Sequence, residues 1–393
     1  MTRHRYAGNT AIVGIGATEF SKDSGRSELQ LALEACVAAL DDAGVDPKQV
    51  NGLSTFTMES NPETEIMRGL GIPELTHFSR IHFGGGAPCA TVQYAAMAVD
   101  AGVADYVLCY RAFNERSGRR FGAGVQDRPA GATAEEAQFA WTSPYGLLTP
   151  ASWVAMFATR MMHEYGITSE DFGRVAVADR KHAATNPAAH FYGQPITLEE
   201  HQQSRWIVEP LHLLDCCQET DGGQAMLVTT LERAKDLRQP AVVIAGAAQG
   251  MGDGQQMMRS FFRDSLVGLP EMGVCARQLW ESSGLGADDV QTAVIYDHFT
   301  PFVLPQLEEF GFCGRGEAKD FIADGAIELG GRLPVNTHGG QLGEAYLHGM
   351  NGVAEGVRQV RGTSVNQVPS VEHALVTGGT GVPTSALLLG VAG

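Results

Sequence analysis

The chain has 393 residues, which is enough for two or three domains of ordinary size or for one large duplicated fold. Its net charge of −17 at neutral pH argues against nucleic acids and anionic membranes as partners, because both attract clustered cations. The polar start MTRHRYAGNT is unlike a signal peptide and no apolar run reaches the roughly 18 residues of a membrane span, so we expect a cytoplasmic protein.

Apolar patterning predicts an α/β protein in which strands alternate with helices. A buried strand at 11–15 precedes a helix at 28–43, whose apolar residues recur at helical spacing and which stops at Gly44. Further strands are predicted at 50–56, 106–109, 221–230, 241–246, 292–296, 373–378 and 385–389, and further helices at 90–100, 152–165, 272–283 and 351–361. This alternation predicts a parallel sheet with helices on its faces.

The two halves of the chain echo each other, which suggests a duplication. Each has a strand, a helix, a second strand and a Gly-rich loop that leads into a helix. The segment 112–206 breaks the alternation and is richer in Arg, Met, aromatic residues and Pro. We therefore predict an N-terminal half at 1–235, a C-terminal half at 236–393, and an inserted loop domain at 112–206.

The seven cysteines show no metal-binding spacing, because no Cys-x-x-Cys occurs. In a cytoplasmic protein we expect them to be reduced, and most of them to be small buried hydrophobic residues. Neither a metal site nor a cofactor carried by this chain is predicted.

Several segments spread over nearly the whole chain resemble the thiolase superfamily, and within it the sterol-carrier-protein or lipid-transfer branch. They include AIVGIGATEF, AGVADYVLCYRA, DRKHAATNP, LLDCCQETDGG, VIYDHFTPF, LPVNTHGGQLGEAYLHGMNG and VTGGTGVPTSALLLG. The resemblance implies a five-layered αβαβα sandwich of two similar halves, with one active site between them.

The thiolase nucleophile is missing from the aligned position. That family uses a Cys at a helix N-terminus, where the helix dipole favours the thiolate. Alignment on AGVADYVL places Gly85 there, and the family's second Cys is absent because no cysteine follows Cys313. Cys89, four residues further on, is either a packed residue of the first helical turn or a displaced nucleophile. With Gly85 in place, Claisen condensation through a covalent acyl-enzyme should be lost.

Two tyrosines stand where the family has residues that face the reacting carbonyl. Alignment on PVNTHGG places Tyr346 at the histidine of the family's G-H-P loop, and Tyr296 takes the first position of its H-D-C-F turn. We expect both to act on substrate beside Gly85, where the missing side chain leaves room for a bulky β-substituent. The neighbouring His298 is a candidate base or a group that tunes Tyr296, and Asp297 a candidate orienting residue. The remaining residues expected in the substrate and oxyanion pocket are Gly85, His348, Gly340 and Gly379.

Retro-aldol cleavage fits a thiolase-like site that lacks the cysteine. It passes through the same thioester enolate but forms no acyl-enzyme, and it needs a base at the hydroxyl, donors at the thioester oxygen and an acid at the α-carbon. The sequence is similar in these substitutions to aldolases of actinobacterial steroid degradation. The resemblance implies cleavage of a 17-hydroxy-steroid-20-carboxyl-CoA to a 17-ketosteroid and propionyl-CoA.

Substrate and partners follow from the same resemblance. The phosphates of the coenzyme A thioester need cations, for which Arg259 and Arg263, or Arg119 and Arg120, are candidates. The family implies a homodimer through the strand at 106–109. It also implies a heterotetramer with a small acyl-CoA-associated protein that has an OB-fold and zinc-ribbon region, or with a hydratase subunit that contains one.

Two other functions remain open at this point: an acyltransferase that uses Cys89, and a noncatalytic scaffold that binds acyl-CoA or lipid. Other aldolase mechanisms are disfavoured. A Schiff base needs a desolvated lysine, but no lysine falls in the Gly-rich loops, although Lys181 lies near a family motif. His338 and His348 share a loop without convincing metal-ligand spacing.

Overall fold

The computed structural model describes residues 4–118, 120 and 134–392, in which strands and helices alternate. The strands are β1 (Thr10–Ala17), β2 (Gly52–Phe56), β3 (His77–Ile81), β4 (Val107–Asn114), β5 (Trp206–Val208), β6 (Leu211–His212), β7 (Asp221–Thr230), β8 (Val242–Gly250), β9 (Thr292–Val294), β10 (His373–Gly378) and β11 (Thr384–Val391). The helices are α1 (Glu28–Ala43), α2 (Glu63–Leu70), α3 (Pro88–Asp100), α4 (Ala134–Thr142), α5 (Pro150–Tyr165), α6 (Ser169–Thr185), α7 (Leu198–Gln203), α8 (Leu231–Ala234), α9 (Pro270–Ser283), α10 (Val303–Glu309), α11 (Ala318–Ile322), α12 (Gly340–Gly343) and α13 (Met350–Arg361).

The main sheet is mixed rather than parallel. Within the described residues its strand order is β3-β2-β4-β7-β1-β8-β11-β10-β9. Strand β2 is parallel to β3 and β4, and β9 is parallel to β10, whereas the other neighbours are antiparallel. The expectation of a parallel sheet is therefore wrong. The turn at 379–383 between β10 and β11 is too short for the crossover that parallel neighbours require.

The elements build the five layers that the resemblance implied. Helices α3 and α13 share one core with strands of both halves of the sheet, while α1 packs on the outer face of β1 and α9 on that of β8. Small residues permit this close stacking: a Cβ atom at Gly14 would lie 2.1 Å from the carbonyl oxygen of Ala39 in α1. The two halves join where β1 pairs with β8, through Ala11–Val243 and Ile12–Val242.

This stacking brings four loops to one end of the sandwich. They are the Gly-rich loop before α3, the turn after β9, the loop between α12 and α13, and the turn between β10 and β11. Residues of all four line one cavity, together with residues of the segment between β4 and β7. The active-site loops of both halves therefore meet, although they are distant in the sequence.

The strand at 106–109 is not a sheet edge, so the dimer placement predicted from the sequence is wrong. Val107 of β4 pairs with Gly52 of β2 on one side and with Val228 of β7 on the other. Its backbone hydrogen bonds are used within the chain, and no partner chain can add to it. In the described part of the chain, β3 forms the outer edge on this side and pairs only with β2.

No helix among the described residues has the length and apolar character to cross a membrane.

Candidate active site

A cavity of about 860 Å³ lies where the four loops meet. This volume is in the range of sites that enclose a small-molecule ligand. Seven residues singled out in the sequence line it: Gly85, Arg120, Tyr296, His298, Tyr346, His348 and Gly379. The structure therefore brings together most of the predicted site, from both halves of the chain.

The hydroxyl group of Tyr296 fills the place of a side chain at position 85. A Cβ atom on Gly85 would lie 1.9 Å from Oη of Tyr296 and 2.5 Å from its Cζ. Gly85 and Tyr296 are therefore a matched pair, and no cysteine fits beside this tyrosine. The expectation that the missing side chain leaves room for substrate is wrong at this point, because the phenol occupies that room.

Both tyrosines are fixed through their backbones. The amide of Tyr296 donates to Oγ1 of Thr377 at 2.9 Å, and its carbonyl accepts from Nε2 of Gln306 at 2.8 Å. The amide of Tyr346 donates to Oγ1 of Thr220, also at 2.9 Å. These bonds fix the backbone from which each phenol enters the cavity, without using the hydroxyl groups themselves.

The two phenols are neutral at physiological pH. Burial raises the pKa of Tyr296, and a hydrogen bond with Tyr346 opposes that shift. Burial also raises the pKa of Tyr346 well above its ordinary value, and the same hydrogen bond raises it further. Both phenols therefore keep their protons at neutral pH, and their hydroxyl groups interact with each other.

His298 lines the cavity next to Tyr296, and their ring centroids are 5.0 Å apart. Burial lowers the pKa of His298 to about 3, so its imidazole is unprotonated at neutral pH. Its Nδ1 lies 3.3 Å from Oγ1 of Thr380, which also lines the cavity. A neutral imidazole in this position has one unprotonated nitrogen, which is able to accept a hydrogen bond from a substrate hydroxyl.

Asp297 does not line the cavity and instead binds the start of the short helix α12. Its carboxylate accepts hydrogen bonds from the backbone amides of Gln341 at 2.9 Å and Leu342 at 3.1 Å. Gly340 packs against the same carboxylate, since a Cβ atom there would lie 2.1 Å from Oδ2 of Asp297. Neither Asp297 nor Gly340 lines the cavity. The geometry gives Asp297 the orienting role expected of it, whereas Gly340 was expected in the pocket and instead positions this carboxylate.

A second buried carboxyl group supports Asp297. Burial, together with the charge of Asp297, raises the pKa of Asp179 well above its ordinary 3.8, and a hydrogen bond joins the two side chains. Two adjacent carboxylates do not both ionise in a buried site, so Asp179 holds the proton and donates to Asp297. This pair ties α6 to the loop that carries Tyr346.

Gly379 lies where two loops touch backbone to backbone. Its φ is +75°, and a Cβ atom there would lie 2.5 Å from the Cα atom of Gly86. A side chain at either position would separate the turn after β10 from the loop that contains Gly85. Gly379 therefore closes the cavity wall beside Tyr296.

Arg259 and Arg263 are not positioned to bind coenzyme A, which corrects the first of the two predicted cation sets. The side chain of Arg259 is buried, with its guanidinium 3.7 Å from the centroid of the Phe139 ring. Arg263 pairs with Glu271 at 3.3 Å. Neither arginine lines the cavity.

The second cation set lies partly at the cavity. Arg120 lines it and pairs with Glu219 at 2.6 Å, while Arg119 lies outside the described residues. Sequence reasoning missed three further cations that line the cavity, Lys22, Arg116 and Arg205. Nothing in their local sequence separates them from surface residues.

Cys89 is not positioned as a nucleophile. It lies in the first turn of α3, fully buried, with its Sγ 3.5 Å from the carbonyl oxygen of Val376. Burial raises the pKa of its thiol, and it does not line the cavity. Among the residues with described positions, no group of three or more His, Cys, Asp or Glu side chains is arranged to hold a metal ion.

The fold and the loop arrangement define this chain as a member of the thiolase family. The thiolase N-terminal domain matches residues 10–232, and a thiolase C-terminal-like domain matches residues 252–390. Within the family, the chain is 66% identical over 383 residues to the steroid side-chain-cleaving aldolase of Thermomonospora curvata, covering 98% of both sequences. It is 67% identical over 387 residues to the 17-hydroxy-3-oxo-4-pregnene-20-carboxyl-CoA lyase of Mycobacterium tuberculosis, covering 98% of this chain and all of that one.

A solved structure agrees with these relatives. The Ltp2-ChsH2(DUF35) aldolase superposes with a TM-score of 0.95 at 64% sequence identity, over 98% of this chain and 99% of that one. This aldolase thus shares the fold of this protein along nearly its whole length.

Proposed function

We propose that this protein is an aldolase-type lyase that cleaves the side chain of a steroid acyl-CoA. Its substrate is a 17-hydroxy-steroid-20-carboxyl-CoA, and its products are a 17-ketosteroid and propionyl-CoA. The observation that carries the proposal is the hydroxyl of Tyr296 in the space of the thiolase nucleophile. Without that nucleophile no acyl-enzyme forms, and the reactions that remain are those that pass through the thioester enolate alone. The high identity to two enzymes named for this cleavage supports the substrate.

The cavity supplies the groups that a retro-aldol reaction needs. The unprotonated imidazole of His298 accepts the proton of the 17-hydroxyl group as the C17–C20 bond breaks. The bond's electron pair moves into the thioester and forms an enolate, while C17 becomes a ketone. Tyr296, assisted by its interaction with Tyr346, protonates C20 and is then reprotonated from His298. No proton is gained or lost overall.

Cations at the cavity replace the buried arginines as the proposed coenzyme A site. Arg116, Arg120 and Arg205 are exposed, and Lys22 is partly buried beside Glu219. Their positive charge suits the phosphates of the substrate in a protein that is otherwise acidic. Arg205→Ala should raise the KM for the thioester with little change in kcat, whereas Arg361→Ala, remote from the cavity, should change neither.

A DUF35-type partner is proposed by analogy with the solved relative, whose structure is described as Ltp2-ChsH2(DUF35) aldolase. A protein of this kind, with the OB-fold and zinc-ribbon features expected from the sequence, would form a heteromeric complex with this chain. Co-expression and size-exclusion chromatography test the complex. Full cleavage activity of the isolated chain would show that the partner is not required.

A homodimer is proposed through β3 rather than through β4. Phe78 of β3 is 68% exposed, and helix α3, which contacts β3, exposes Tyr94 and Met97. An edge strand flanked by exposed apolar side chains is typical of a surface that pairs with another chain. Phe78→Glu should convert the dimer to a monomer in light scattering. A dimeric Phe78→Glu variant would place the interface elsewhere.

The function is tested by incubating the purified chain and its partner protein with 17-hydroxy-3-oxo-4-pregnene-20-carboxyl-CoA. Equal amounts of a 17-ketosteroid and propionyl-CoA are expected from liquid chromatography with mass detection. A thioester trapped on Cys89 would instead indicate the acyltransferase. Tight binding of the thioester without turnover would indicate the scaffold.

A further inference from the structure

A buried ion pair lies behind the wall of the cavity, in a part of the sheet where apolar residues are expected. Arg111 of β4 and Glu59 have side chains that are 1% and 0% exposed, and Nη1 of Arg111 lies 2.9 Å from Oε2 of Glu59. Glu59 also accepts hydrogen bonds from the backbone amides of Ala112 and Asn61, both at 2.9 Å. Burying an ion pair is unfavourable compared with apolar packing, so its presence here calls for a functional reason.

Arg111 also contacts a residue of the cavity. Its Nε donates a hydrogen bond to Nδ1 of His348 at 3.3 Å. Arginine is always protonated and has no acceptor atom, so Nδ1 of His348 must be the unprotonated nitrogen. The proton of the neutral imidazole is then on Nε2. Burial and the charge of Arg111 lower the pKa of His348 well below 6.5, which agrees with a neutral ring.

The ring of His348 is held with Nε2 towards the substrate cavity. It stacks on the ring of Phe113, with centroids 5.1 Å apart and an interplanar angle of 9°. A Cβ atom on Gly84, which lines the cavity, would lie 2.9 Å from Nε2 of His348. The glycine at position 84 is therefore required for this nitrogen to reach the cavity surface.

We propose that Glu59 and Arg111 are positioning residues that hold His348 in its Nε2–H form, as a hydrogen-bond donor to the thioester oxygen of the substrate. The inference rests on the proposed function for the identity of that oxygen. A donor fixed in advance in a buried site stabilises the enolate without reorganisation during the reaction. Glu59 fixes the guanidinium, the guanidinium fixes the tautomer, and the tautomer decides which nitrogen donates.

The first test is spectroscopic and does not depend on turnover. The NMR spectrum of the ¹⁵N-histidine-labelled protein is compared with that of the His348→Gln variant. The resonances that disappear in the variant belong to the ring nitrogens of His348. They should show a protonated Nε2 and an unprotonated Nδ1 at neutral pH. A proton on Nδ1, or on both nitrogens, would overturn the proposal.

The second test is a set of kinetic comparisons. The double variant Glu59→Gln/Arg111→Met removes the donor to Nδ1 without leaving a buried carboxylate unpaired. Its kcat should fall by at least about tenfold, towards the ~10²–10³ expected for loss of one oxyanion donor, while KM changes little. Arg361→Met/Asp42→Asn removes another ion pair with a buried arginine, at 2.8 Å and remote from the cavity, and should leave kcat unchanged.

The His348→Gln background separates positioning from general support of the fold. The amide of glutamine has no tautomers, so it donates a hydrogen bond whether or not Arg111 is present. In this background Glu59→Gln/Arg111→Met should therefore lower kcat by less than about twofold. An equal loss in both backgrounds would overturn the positioning role. If the wild-type protein does not cleave the steroid thioester yet shows the expected tautomer, the proposed function fails and the assignment of Glu59 and Arg111 to the tautomer stands.

Discussion

Adding one methyl group at position 85 tests whether Tyr296 occupies the place of the thiolase nucleophile. In Gly85→Ala the new Cβ atom would lie 1.9 Å from Oη of Tyr296, whereas ordinary contact begins at 3.4 Å. The phenol must therefore move by about 1.5 Å, a displacement set by that contact distance. Tyr296 is only 3% exposed, and its backbone is bonded to Thr377 and Gln306, so it has little freedom to do so.

The expected effects are large for so small a change. Overpacking of this kind lowers stability by ~1–3 kcal/mol. Displacement of a reacting group by about 1 Å lowers the rate by ~10². We therefore expect Gly85→Ala to lower both the Tm and kcat. Since the backbone at Gly85 has no positive φ, the effect comes from the contact with Tyr296 rather than from strain.

Differential scanning calorimetry and the cleavage assay measure the two effects. Gly286→Ala is a matched control, because a Cβ atom there meets no atom within 4 Å, and it should change neither quantity. In a Tyr296→Ala background the space is empty, so Gly85→Ala should lower the Tm far less than it does in the wild type. Unchanged Tm and kcat in Gly85→Ala would refute the account of this pair.

Three further results are expected. Gly85→Cys should lose aldolase activity without gaining acyltransferase activity, because Tyr346 stands where the family has its histidine; a trapped acyl-enzyme in mass spectrometry would contradict this. The raised pKa of Asp179 means that the folded state holds a proton that the unfolded chain releases. The free energy of unfolding should therefore fall as the pH rises from about 3.8 through the pKa of Asp179 in the folded state. Asp179→Asn should flatten that Tm–pH curve, and an equally steep curve would rule out the shared proton. Asp297→Ala should lower the Tm by removing the acceptor of two buried amides, a loss of ~1–3 kcal/mol for each unsatisfied group, and an unchanged Tm would argue against its positioning role.

Local patterns predicted several elements closely because the signals lie within the elements themselves. Helix α1 has the bounds predicted from its apolar spacing, with Ser27 capping its start and Gly44 ending it in a left-handed conformation. Strand β3 was not predicted, because most of its residues are partly or fully exposed and give no apolar alternation. The antiparallel centre of the sheet was also missed, since strand direction depends on pairing across the chain.

The site shows the same division between local and long-range signals. The aligned motifs placed Gly85, Tyr296 and Tyr346 in one pocket, because they are fixed points of a family fold. They did not reveal that the phenol of Tyr296 fills the space at Gly85, because that contact depends on how two distant segments pack in the folded structure. The prediction that Arg259 binds coenzyme A was wrong, because the sequence does not show that its guanidinium stacks on the ring of Phe139.

The support of His348 was missed for a related reason. Glu59 and Arg111 are 52 residues apart, and Arg111 is 237 residues from His348. The one local signal was an arginine in the middle of the mainly apolar strand β4. A charge in such a strand requires a buried partner, but the sequence does not say which residue supplies it.

The most direct test of retro-aldol cleavage without an acyl-enzyme compares three single variants in the steroid-CoA cleavage assay, with the partner protein present. Tyr296→Phe and Tyr346→Phe each keep the ring and remove the hydroxyl, so kcat should fall by ~10²–10⁴ with KM nearly intact. Cys89→Ser should keep most of the activity, because that thiol is buried away from the cavity. An inactive Cys89→Ser variant together with two active Phe variants would contradict the account and restore a covalent thiolase mechanism.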